Sequence, residues 1–165
     1  MLTIFTTPKA FRGHIEVIQR NALKSWTLLD ADVEVIVFGD EEGAAEACRE
    51  LGLRHEPGVE RSASGTKYVR SIFGRAQEIA RHDVVAYVNC DIVLTEDFAR
   101  GVARVAETFG AQGAVDKEKE NAEALRTQRE RRENKFLMVG RRWDTDITAP
   151  IDFSASDWAE RARAQ

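Results

Sequence analysis

Only two cysteines, Cys48 and Cys90, occur in the 165 residues, and both sit in apolar surroundings. Such a pair suits small core residues in a reducing cytoplasm better than a disulfide. No apolar run approaches the ~20 residues of a membrane-spanning helix. The opening Met1-Leu2-Thr3-Ile4-Phe5 has no basic stretch leading into a long apolar one, so no secretory signal is expected there. Positive charge is not in excess either. Lys and Arg number 24 against 28 Asp and Glu, a formal net charge of -4. That excludes a global basic field that would recruit nucleic acid. His14, His55 and His82 are scattered, share no metal-ligand spacing with the cysteines, and read as surface or loop-packing residues.

What is present is an ordinary soluble composition, 43% apolar and 32% charged, long enough for one domain with one core. Leu2 to Phe5 reads as a short strand broken by Thr6-Thr7-Pro8. Ile15, Ile18, Ala22, Trp26 and Leu29 recur at spacings of three and four, which predicts a helix from about Gly13 to Leu29. Val33 to Phe38 is nearly continuous in apolar residues, as a strand covered on both faces should be. Gly39-Asp40 ends it. Ala44, Ala45, Ala47, Cys48 and Leu51 mark a short helix, and Leu53-Arg54-His55 a third strand. Glu56 to Lys67, rich in Gly, Ser and charge, reads as a loop.

Val69, Ile72, Phe73, Ala76 and Ala80 form the next helical stripe, and Val84 to Val88 the central strand. Thr95 suits an N-cap, with Glu96 and Asp97 where the helix dipole favours acids. Phe98, Val102, Val105 and Phe109 continue that helix, and Phe136-Leu137-Met138-Val139 is a last strand. The β-α-β-α-β-α-β-α-β order predicts an α/β fold, Rossmann-like, with a mostly parallel sheet and helices on both faces. One stretch breaks the rhythm. At about 112–135 lies a charged segment, and from Asp116 to Lys135 its only large aliphatic is Leu125. It reads as a solvated helix extension or mobile insert, or else as a partner-binding arm.

Asn89-Cys90-Asp91 follows the central strand directly. Ligands in open α/β sheets bind just beyond the carboxyl ends of the strands. An Asp at that tip is well placed for a divalent metal, and a metal can hold a diphosphate. The plainer reading is an Asp that ends the strand and bonds to a nearby turn.

Several pieces together resemble a bacterial glycosyltransferase of the A-type, or nucleotide-diphospho-sugar transferase, fold. They are Leu2-Thr-Ile-Phe-Thr-Thr-Pro8, Val37-Phe-Gly-Asp40, Ser71-Ile-Phe73, Tyr87-Val-Asn-Cys-Asp-Ile92 and Phe136-Leu-Met-Val-Gly-Arg-Arg-Trp-Asp144. The resemblance implies that Thr6, Thr7 and Pro8 line a nucleoside pocket and that Asp40 contacts the base or ribose. It implies that Asn89 and Asp91 occupy the two acid positions of the Asp-x-Asp metal motif, holding Mn²⁺ or Mg²⁺ against the phosphates. The donor would be a UDP- or GDP-linked sugar and the acceptor a hydroxyl of unknown identity. Asn89 departs from the pattern, because its amide oxygen is neutral. The chain past Phe136 is also shorter than the family's usual acceptor-binding segment.

Other candidates rest on the residues themselves. Asp40 precedes Glu41-Glu42 and suits the N-cap of the next helix as well as a ligand contact. Arg12, Lys67, Arg70 and Arg75 are candidate diphosphate partners, Arg70 first among them because it follows the Gly65-Thr66 loop; an Arg on a helix is otherwise solvated. Trp143 could stack on a sugar face, with Asp144 or Asp146 as general base, or Trp143 could simply cover a core edge. A sugar-phosphate nucleotidyltransferase is disfavoured, since the first loop holds only Gly13 where a Gly-rich cradle is needed. A truncated, non-catalytic nucleotide-binding domain is the remaining alternative.

Overall fold

The computed structural model describes residues 1–117 and 147–164, with side chains described over 1–108 and 147–164. Contacts divide the chain into two compact units, residues 1–99 with 143–165, and residues 100–142. The first unit carries the sheet. Of the second, the described part is helical to Lys117. The last expected strand, Phe136 to Val139, lies outside the described residues, as does most of the charged segment at 112–135.

The elements follow the predicted alternation. They are β1 (Leu2–Thr6), α1 (Gly13–Trp26), β2 (Val33–Phe38), α2 (Ala44–Leu51), β3 (Arg54–Glu56), α3 (Val69–Ile79), β4 (Val85–Tyr87), α4 (Glu96–Lys117) and α5 (Trp158–Arg163). The four strands among the described residues form one sheet in the order β3-β2-β1-β4, with each of these pairings parallel. The fold is α/β and Rossmann-like. The chain steps outward from β1 to β2 to β3, then returns to place β4 on the other side of β1. The gap between the carboxyl ends of β1 and β4 is therefore the topological switch point, where such sheets leave a crevice.

All five residues of β1 are buried, as a central strand covered on both faces requires. Phe5 is in register with Ile36 and Tyr87, so these side chains share one face. Phe5, Ile36 and Phe38 pack there against Ile72 and Ala76 of α3. Leu2, Ile4, Thr6, Val35 and Val37 turn to the opposite face. Buried residues of α1 (Ala22, Leu23, Trp26) and α2 (Ala44, Ala47, Cys48) complete that side of the core. Each fully buried Val, Leu, Ile or Phe among these contributes about 1.5–3 kcal/mol.

Helix α1 stops at Trp26, short of the expected Leu29. The amides of Thr27 and Leu28 turn back to the carbonyls of Lys24 and Ser25, and Leu29 is buried beyond the helix end. Polar residues on the buried side of α1 fasten other segments. Gln19 exchanges two hydrogen bonds with the backbone of Lys9, at 2.7 and 3.0 Å. Asn21 does the same for Ala149 and Ile151, at 3.0 and 2.9 Å. Both cysteines are free and buried. His82 is buried too, at the amino edge of the sheet, beside Arg81 and Asp32. Among the described residues, no helix is long and apolar enough to cross a membrane.

Candidate functional site

The carboxyl edge of β4 runs straight into a turn. Val88 and Cys90 are buried, whereas Asn89 and Asp91 are exposed. The strand's period of two thus continues for four residues past its end. Ile92 N–H closes the turn on Asn89 carbonyl at 3.1 Å. Helix α1 holds the segment that follows. Trp26 Nε1 donates to the Ile92 carbonyl at 2.8 Å, and Ser25 Oγ accepts from Leu94 N–H at 3.0 Å. The two oxygen-bearing side chains therefore project from a tethered turn with its middle residue anchored in the core. Burial pushes the Cys90 thiol up to about 12, so Cys90 is an anchor and not a thiolate ligand.

Next to it lies the end of β1. Thr6 is wholly buried on the α1–α2 face, so its hydroxyl does not reach the edge. Thr7 is half-buried, and its hydroxyl lies 3.3 Å from that of Tyr87, across the switch point. Tyr87 is partly exposed and packs its ring on Phe5 and Phe73. Pro8 is buried, and its carbonyl accepts from Lys67 Nζ at 3.3 Å. Of the three residues expected to line a nucleoside pocket, only Thr7 presents its side chain at this edge.

The end of β2 carries a compact group of charges. Arg61 Nη2 donates to Asp40 Oδ1 at 2.6 Å and to Glu41 Oε1 at 2.9 Å. Lys67 Nζ pairs with the same Glu41 oxygen at 2.7 Å. Arg61 and Lys67 face each other across a small antiparallel turn whose left-handed residue is Gly65, φ +84°. Gly39, at φ +114°, makes room for the pairing, because a Cβ there would run into Glu41 Oε2 and lie 2.8 Å from Lys67 Nζ. The Arg61 guanidinium holds Asp40 below the usual carboxylate range. Burial would raise Glu41, but Lys67 and Arg61 together outweigh it and lower its pKa.

The remaining candidates scatter. Arg70 is exposed in the first turn of α3, along an open groove of about 560 Å³ floored by Phe38 and Ile72. Arg12 is paired with Glu42, and Arg75 lies near Glu56 and Glu78. Trp143, Asp144 and Asp146 lie outside the described residues. Thr7, Asn89 and Asp91 follow the carboxyl ends of the adjacent strands β1 and β4, and Asp40 follows that of β2, on the far side of β1 from β4; Arg12 and Arg75 lie in ion pairs elsewhere. Sequence reasoning missed Arg61, Glu41 and Tyr87. A signal for Tyr87 existed: the alternation that exposes Asn89 and Asp91 also sets it opposite Val88. For Arg61 there was none, since its partners are about twenty residues away.

Asn89 and Asp91 supply one carboxylate and one amide oxygen. Among the described residues no group of three or more His, Cys, Asp or Glu stands ready as a metal cage. The donor set fits Mg²⁺ or Mn²⁺ in the manner of sites that take one or two protein oxygens and complete the shell with substrate phosphates and water. It does not fit a metal held by protein alone. No protein-family model, curated protein or solved structure matches this chain.

Proposed function

We propose that the chain is a sugar-nucleotide-binding domain of the glycosyltransferase type, taking a UDP- or GDP-linked sugar at the carboxyl edge between β1 and β4. The observation that carries this reading is the turn after β4. Asn89 and Asp91 are both exposed there, on either side of a buried anchor, where the strand order reverses. Oxygen donors at this point of a parallel sheet suit a divalent metal, and a metal so held suits a diphosphate. Asp91, with Asn89 beside it, would hold Mg²⁺ or Mn²⁺. The bound metal would supply charge neutralisation for the nucleoside diphosphate as it leaves. Thr7 would orient the nucleoside through its hydroxyl. A general base for an acceptor hydroxyl would come from Asp144 or Asp146.

The test is donor hydrolysis. Release of UDP or GDP from the sugar nucleotide is followed with Mn²⁺ present and with Mn²⁺ chelated, for the wild type and for Asp91→Ala. The expected result is metal-dependent release that Asp91→Ala lowers by at least about a hundredfold. Asp91 is exposed, so the variant should melt within ~0.5 kcal/mol of the wild type. Equal release by both proteins would remove Asp91 from the site.

The neutral Asn89 favours a second reading, a nucleotide-binding domain without turnover. It predicts nucleotide binding with no release of diphosphate.

A further inference from the structure

The charge group at the end of β2 sets two cations, Arg61 and Lys67, against two carboxylates, Asp40 and Glu41. Lys67 is about 15% exposed, yet its ammonium sits at the carboxyl edge with two oxygens near it, Glu41 Oε1 and the Pro8 carbonyl. Arg61 spends a single nitrogen, Nη2, on both Asp40 and Glu41, and Nη1 on the Gly65 carbonyl at 3.2 Å. Two cations therefore converge on one carboxylate oxygen. The other oxygen of Glu41 is buried without any hydrogen-bond partner among the described residues. A carboxylate so placed is poorly solvated, and among the described residues both of its cations keep donors without a partner. Asp40, by contrast, is 67% exposed and loses little by giving up Arg61.

We infer that Arg61 and Lys67 form a phosphate-receiving pair that Asp40 and Glu41 hold in reserve. A diphosphate arriving at the carboxyl edge takes the guanidinium from exposed Asp40 and the free donors of Arg61 and Lys67, while Glu41, mostly buried, keeps its pairing. It offers several anionic oxygens in place of one carboxylate oxygen, and a fork-shaped guanidinium suits them. Asp40, released, becomes an acceptor for a ligand hydroxyl. This exchange gives the protein a metal-independent contact with the ligand and makes Asp40 a competitor of the phosphate. It rests on the donor-site reading for the identity of the natural ligand, but not for its test.

The test is calorimetric titration of inorganic pyrophosphate in buffer stripped of divalent cations. Three full-length proteins are compared: wild type, Asp40→Asn and Arg61→Gln. The expected result is binding to the wild type, tightened about threefold by Asp40→Asn as a competing exposed pair is removed. Arg61→Gln weakens it by roughly tenfold or more, as loss of a charged hydrogen bond should. Melting curves of each variant establish that the comparison is between folded proteins. Weaker or unchanged binding by Asp40→Asn would overturn the inference, and so would unchanged binding by Arg61→Gln. Absence of pyrophosphate binding in both the wild type and Asp40→Asn would overturn it as well. The two readings fail separately. Pyrophosphate exchange without metal-dependent UDP or GDP binding keeps the cation pair and removes the donor site; the reverse pattern removes the pair alone.

Discussion

At the scale of single residues, Gly39 is a position with little freedom. Its φ of +114° lies where a side chain is strained, and the space a Cβ would take holds Glu41 and Lys67 side-chain ends. Those ends can swing aside, so Gly39→Ala combines backbone strain with loss of the ion pair. The expected cost is about 1–3 kcal/mol. Urea unfolding checks it, as a lower midpoint at an unchanged slope. The residue scale is also where the sequence was least legible. Asn89 and Asp91 stood out because they are local, two residues apart at a strand tip. The Arg61–Asp40 and Arg61–Glu41 pairs join residues 21 and 20 apart, and nothing in the local pattern marks them. Glu56 to Lys67 therefore read as a plain loop, although it contains an ordered turn that reaches back to β2.

At the scale of elements, α1 does more than cover the sheet. Trp26 is fully buried, and its indole N–H holds the Ile92 carbonyl just after the Asn89–Asp91 turn. Trp26→Phe keeps most of the apolar bulk and leaves that carbonyl unpaired. The expected loss is about 1–3 kcal/mol in stability. Nucleotide affinity should fall as well, since the turn loses its tether. Urea unfolding and nucleotide titration of the same protein separate the two effects; unchanged affinity would mean that the turn keeps its shape unaided. Elements were largely legible because burial writes a period into the sequence. The apolar run Val33 to Phe38 matches β2 residue for residue. The same signal overextended α1, because Leu29 is buried without being helical. Periodicity reports which side chains are covered, and the backbone ended the helix three residues sooner.

At the scale of the molecule, alternation of strands and helices predicted a parallel sheet, and the sheet is parallel throughout its four described strands. Alternation does not fix strand order, so the switch point between β1 and β4 emerged only from the fold. The ion pairs of the first unit also set its response to acid. Burial would raise Glu34, but hydrogen bonds from the Arg81 backbone, Thr3 and Arg54 outweigh it and lower its pKa below the ordinary 4.5. Glu41 is lowered likewise. A carboxylate with a depressed pKa in the folded state binds its proton more readily when unfolded. Its stabilisation is complete above about pH 4.5 and is lost as pH falls through the folded value. Melting temperature should accordingly hold down to about pH 5 and then drop. In Glu34→Gln the drop should be shallower, and a curve parallel to the wild type would show that Glu34 titrates as it does in the unfolded chain.

The central claim is that the carboxyl edge between β1 and β4 binds a nucleoside diphosphate through Asp91 and a divalent metal. Calorimetric titration of UDP and of GDP into the folded protein, with and without Mn²⁺, tests it most directly. The expected result is saturable binding of one of the two nucleotides that requires Mn²⁺ and disappears in Asp91→Ala. Heat of binding that is identical with and without Mn²⁺, or no binding of either nucleotide by a folded sample, would contradict the claim.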